Sequence, residues 1–112
     1  MRTLCVAVLM IIVVAPPSAR SSSAAFYWCG GRTIQHSDES YYSDAFESDE
    51  SGVKINSAWD SYMKATYNLT PSGGCQTMAH YHSLSDARSD RDKDAAFYRG
   101  LGDKITMTHW TY

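Results

Sequence analysis

Two histidines stand two residues apart, His80 and His82, in a segment (CQTMAHYH, residues 75–82) whose alternation predicts a strand. Side chains spaced by two on a strand point the same way, so the pair has the geometry to share a metal or a proton. A metal needs at least a third ligand, and the chain offers only His36, His109 and acidic residues far away in sequence. No metal and no other cofactor is therefore assigned. Catalysis by either histidine needs an orienting partner that the sequence does not place beside it.

Other groups mimic active motifs and then fail. Glu47, Asp49, Ser51 and Gly52 match the first half of a calcium-binding loop, but its eighth position is Lys54 and its twelfth, where a bidentate Glu belongs, is Ala58. No serine lies in a G-x-S-x-G elbow. Paired carboxylates are available for glycoside hydrolysis, yet so short a chain leaves little room for a deep cleft. Asn68-Leu69-Thr70 is a formal glycosylation sequon, and Pro71 directly after it is a poor context, so no glycan is assigned.

The start of the chain has its own composition. After Met1-Arg2, residues 3–15 (TLCVAVLMIIVVA) are uncharged and apolar, and Pro16-Pro17 ends the run. That is too short for a spanning helix, which needs roughly 20 apolar residues. With the small residues of Ser18-Ala19 and Ser21 to Ala25 behind it, the pattern reads as a cleaved secretory signal over residues 1–25. Residues 26–112 then form a single small domain, secreted or periplasmic, with no stable membrane anchor after cleavage.

Removing residues 1–25 takes Cys5 away and leaves Cys29 and Cys75. Two thiols in an oxidising compartment are expected to pair, and a loop of that length restricts the unfolded chain by roughly 4 kcal/mol. From Phe26 onward 8 Lys and Arg stand against 12 Asp and Glu, a formal charge of −4. Nucleic acid is disfavoured as a partner, because no basic stripe is present. Six of the acids, Asp38, Glu39, Asp44, Glu47, Asp49 and Glu50, gather within residues 38–50.

The elements that must position these groups can be read in turn. Residues 26–29 (FYWC) predict a strand closed by a turn at Gly30-Gly31, and residues 41–46 (YYSDAF) a second strand with Tyr42, Asp44 and Phe46 on one side. After Gly52, Ile55, Trp59, Tyr62, Met63 and Thr66 line one helical face, and Asn68 with residues 70–74 (TPSGG) stops it. Ser83 with Asp86 resembles a capping box and predicts a helix from Leu84 to about Arg99, with a thin apolar face (Leu84, Ala87, Ala95, Tyr98) interrupted by Arg91. Gly100 and Gly102 end it, and residues 105–110 (ITMTHW) predict a last strand. The order strand, strand, helix, strand, helix, strand points to an α+β fold, a small and mostly antiparallel sheet covered on one face by two helices.

With the elements placed, FYWC, YYSDAF, the helix from Trp59 to Tyr67, Cys75, SLSDA at residues 83–87 and the closing HWTY resemble a group of small exported Gram-negative bacterial proteins and domains. That group carries a Tyr-x-Cys, a Tyr-Phe-Ser-Asp-x-Phe-like strand, a second Cys and a C-terminal Trp. The chain departs from the pattern at Tyr42, where Phe is expected, and in the length and acidity of residues 47–52. The resemblance implies compartment and fold and transfers no activity. In layout alone the chain is also similar to SPOR-type peptidoglycan-binding domains. The expected function is an exported, non-enzymatic binding module for a protein or peptidoglycan partner. The alternatives are a small secreted hydrolase using His80 or His82, and an inhibitor or immunity protein docking a basic enzyme through residues 38–50.

Overall fold

The computed structural model describes residues 24–77 and 81–112. The proposed signal, but for its last residues, and His80 lie outside them. The fold is α+β, with a mixed five-stranded sheet and two helices: β1 (Ala25–Arg32), β2 (Glu39–Tyr42), β3 (Phe46–Ser48), α1 (Gly52–Tyr67), β4 (Cys75–Gln76), α2 (Leu84–Gly100) and β5 (Lys104–Met107). Three of the strand pairings, β1 with β2, β3 and β4, are antiparallel, and β2 with β5 is parallel.

β1 is the hub of the sheet, and it is longer than expected. It does not turn at Gly30-Gly31 but continues to Arg32, pairing Gly30 with Tyr42 and Arg32 with Ser40. A side chain at position 30 is excluded: a Cβ there would lie 2.4 Å from the Tyr42 ring and 2.8 Å from the Tyr41 carbonyl oxygen. The glycine signals close approach of a neighbouring strand, which in sequence reads the same as a turn.

Alternation along β1 builds two cores. Tyr27 and Cys29 pack with Phe46 and with Ile55, Trp59 and Met63 of α1. Trp28 packs with Tyr42, Ala45 and with Ala87 and Ala95 of α2, and Phe26 joins that cluster. Successive strand residues face opposite sides, so the two helices cover opposite faces of the sheet. The expectation that both would lie on one face is corrected accordingly. It failed because a strand buried on both sides reads as one continuous apolar run, with no polar face to count.

The predicted strand over residues 41–46 is broken. β2 pairs with β1 in one register (Gly30↔Tyr42) and β3 in another, shifted by one residue (Tyr27↔Phe46), with residues 43–45 between them. A one-residue shift turns every later side chain to the other face. Tyr42 therefore lies in the α2 core and Phe46 in the α1 core, not side by side. Ser43 repairs the break. Its N–H donates to the Cys29 carbonyl (2.8 Å), and its hydroxyl accepts from the Cys29 N–H (2.8 Å).

Both helices begin at serines that accept from the backbone three residues on: Ser51 from the Lys54 N–H and Ser83 from the Asp86 N–H. In α2 the return bond of a capping box is displaced by one residue, since the Asp86 carboxylate accepts from the His82 N–H (3.2 Å). α1 ends at Asn68 in the left-handed conformation (φ 55°). Its buried face is Ile55, Trp59 and Met63, with Tyr62 half-buried, while Thr66, placed on that face by spacing, is exposed. Trp110 closes this core against Phe46, Trp59 and Tyr62. The predicted strands over residues 75–82 and 105–110 shorten to β4 and β5. Among the described residues no helix is long and apolar enough to cross a membrane.

Cys29 and Cys75 form a disulfide between β1 and β4. Replacing both by Ala is expected to lower stability by about 4 kcal/mol in urea unfolding, the loop-entropy value, and a loss below about 1 kcal/mol would refute that account. Gly30→Ala is expected to cost ~1–3 kcal/mol in the same measurement, because the Tyr42 ring and the β2 backbone must move to admit the methyl group.

Candidate ligand-binding cleft

The glycine at position 30 has a second consequence. Trp28, Gly30 and Arg32 share the face of β1 turned to α2, and the matching face of α2 presents Asp90, Asp94 and Tyr98 at successive turns. Together with Gly31, with Ser72 and Gly73 of the segment that leads into β4, and with Gln76 of β4, these residues line a cleft of about 490 Å³. An inward helix face with two carboxylates above a backbone floor is the opposite of an apolar core stripe.

Each carboxylate is held by a tyrosine. The Tyr42 hydroxyl donates to Asp94 Oδ2 (2.7 Å), and the Tyr81 hydroxyl donates to Asp90 Oδ2 while accepting from the Trp28 indole N–H (2.8 Å). Tyr42 is fully buried. Burial first, and then the hydrogen bond to Asp94, pushes its hydroxyl pKa far up; burial and Asp90 push that of Tyr81 up to about 12. A phenylalanine at position 42 could not make the bond to Asp94.

The cation that lines the cleft is already committed. Arg32 donates two hydrogen bonds to Asp103 (2.8 Å each) and lies 4.8 Å over the Tyr98 ring. The bidentate pair holds the Asp103 carboxyl below its usual range. Ser40, buried beside it, donates to the same carboxylate (2.9 Å). Arg91, on the same helix as Asp90 and Asp94, turns away from them. It donates to the Ser43 carbonyl (3.2 Å) and pairs with Asp92 and Asp44. Arg91, read in sequence as an interruption of the apolar face, thus fastens α2 to the break between β2 and β3. Asp90 and Asp94 have no cationic partner among the described residues.

The residues singled out by sequence fall elsewhere. His82 is exposed before α2, and the metal or catalytic pairing with His80 cannot be placed, because His80 lies outside the described residues. Among the described residues no three His, Cys, Asp or Glu side chains converge as a metal group. The calcium-loop mimic is a helix start, with Ser51 as N-cap and Glu50 paired to Lys54 (3.6 Å). The acids of residues 38–50 are spread along the length of β1. Asp38 and Glu39 lie near the Arg32 end of β1, Glu47 pairs opposite Phe26, and the ends are roughly 23 Å apart at 3.3 Å per strand residue. Asp44 is bound between them to Arg91 and to His109 Nδ1 (3.1 Å). Sequence reading missed the cleft because Asp90 and Asp94 look like the polar side of a surface helix until α2 is docked.

The raised tyrosines predict an alkaline transition. A hydroxyl whose folded pKa exceeds its unfolded value near 10 contributes stability that is fully present below pH 10 and lost as pH rises through the folded value. Tyrosinate absorbance is therefore expected to show late hydroxyls in the native chain, those of Tyr42 and Tyr81 behind those of Tyr41 and Tyr67, which burial also raises, with unfolding setting in between pH 10 and about 12. Asp94→Ala is expected to let Tyr42 titrate earlier; an unchanged titration would contradict the assignment.

No family model matches the chain, and neither curated proteins nor solved structures provide a match, so the function has to be read from the cleft itself.

Proposed function

We propose that the protein works outside the cytoplasm, secreted or periplasmic, as a non-enzymatic binding module for a protein or cell-wall partner, and that the cleft between α2 and β1 is its binding surface. The cleft carries this reading: its carboxylates are fixed in advance by bonds to the buried Tyr42 and the half-buried Tyr81, the preorganisation that lowers the cost of binding. Its chemistry supports binding rather than turnover. The titratable groups that face it are carboxylates and a bidentate arginine, and among the described residues no histidine, cysteine or lysine lines it. Export is supported by the uncharged apolar run of residues 3–15 and the small residues after it, and by the Cys29–Cys75 disulfide, which suits an oxidising compartment.

Intact mass of protein from its native host is expected to show a chain beginning between Arg20 and Phe26, recovered outside the cytoplasm. A full-length cytosolic chain would sink the export reading. For the surface, a photo-crosslinker at Gln76, exposed at the cleft, is expected to trap a partner in the native envelope, whereas one at Val53, exposed on α1, is expected to trap none. Equal adducts at both positions, or none at Gln76, would count against the cleft.

A further inference from the structure

Resting on that reading, we infer that the cleft receives a lysine or arginine side chain of a polypeptide partner, its cationic head between Asp90 and Asp94 and its aliphatic stem along Tyr98 and Trp28. Charge is the first ground. The cleft holds two carboxylates and one guanidinium, and the guanidinium is spent on Asp103, which is itself almost entirely buried (side chain 2% exposed). What faces the open volume is therefore net negative, with an acceptor oxygen left on each of Asp90 and Asp94 beyond the one its tyrosine engages.

Shape is the second ground. Asp90 and Asp94 lie one turn apart, a spacing that lets one cationic head with several N–H donors reach both. The aromatic groups of Trp28 and Tyr98 line the same volume, so the ligand that fits has an apolar stem and a charged tip, the two-part character of Lys and Arg. Gly30, Gly31 and Gly73 line the same volume, so the backbone there can be approached closely by another chain. A bare metal ion fits less well, since no third His, Cys, Asp or Glu joins the pair among the described residues.

The test is an NMR titration of the oxidised chain as recovered from its host, following the amides of Gly30, Gly31 and Gly73 and the indole of Trp28. The probes are capped Gly-Lys-Gly and Gly-Arg-Gly, with the norleucine and glutamate counterparts and a disaccharide–peptide fragment of peptidoglycan as comparisons. The basic peptides are expected to shift these signals saturably and to bind at least about tenfold more tightly than the norleucine peptide. Asp90→Asn with Asp94→Asn, in which each amide oxygen can still accept from its tyrosine, is expected to remove that preference. Gln76→Lys, which adds a competing ammonium from an exposed position on β4, is expected to weaken binding about tenfold with the rest of the spectrum unchanged, and decides the matter should the asparagine pair fail to fold.

Equal response to lysine and norleucine peptides would overturn the cationic assignment while leaving a binding cleft standing. Tighter binding of the peptidoglycan fragment than of either basic peptide would overturn the polypeptide partner. Silence of the cleft signals towards all five probes would overturn this inference, while the envelope crosslink at Gln76 tests the binding reading independently.

Discussion

Burial of β1 on both faces is the constraint on which the rest of the structure depends. Tyr27, Trp28, Cys29 and Gly30 are consecutive and all buried, so each face must be supplied with its own cover. A sheet strand that shows no face to water requires packing partners above and below it. α1 supplies one through Ile55, Trp59 and Met63, and α2 the other through Ala87 and Ala95. The asymmetry between the two covers then has a physical cause. Large aromatic and aliphatic side chains fill the α1 side, whereas alanines on the α2 side bring that helix close and leave its acids over the glycines of the strand.

The break at residues 43–45 connects these two sides. By shifting the register by one, it lets a short stretch of chain send Tyr42 to one core and Phe46 to the other. The carbonyl of Ser43 is taken by Arg91, so the irregular backbone is satisfied by the same helix whose acids accept from Tyr42 and Tyr81. A polar network of this kind fixes the position of a helix whose apolar face is too thin to do so alone. It also ties the fine geometry of the cleft to the strand break at its back.

Much of the architecture was legible in the amino-acid order. Ser83 with Asp86 located the start of α2, the Ile55, Trp59, Met63 spacing located α1, and the two cysteines beyond residue 25 were joined as expected. Glycine was misread. At Gly30 the sequence offers the same letter for a turn and for a strand pressed against a tyrosine ring, and only the neighbour decides. Helix placement was misread for a related reason, since a run of four buried residues gives no alternation from which two faces could be told apart. The site stayed hidden because Asp90, Asp94 and Arg32 acquire meaning through pairings 9 to 71 residues apart, which local pattern does not encode.

The long-range closures of the sheet also bear on the order in which the chain can fold. Arg32 finds Asp103, Tyr42 finds Thr108, and the Asp44 N–H finds the Trp110 carbonyl, contacts between segments more than sixty residues apart. Closing loops of that size precedes any gain from the contacts they bring, which makes such topologies slow to assemble. A chain emerging from its amino end would hold β1 with one bare face until α2 had been made and an open sheet until β5 arrived. The sheet can therefore close only when its last strand has been made, late in the synthesis of the domain.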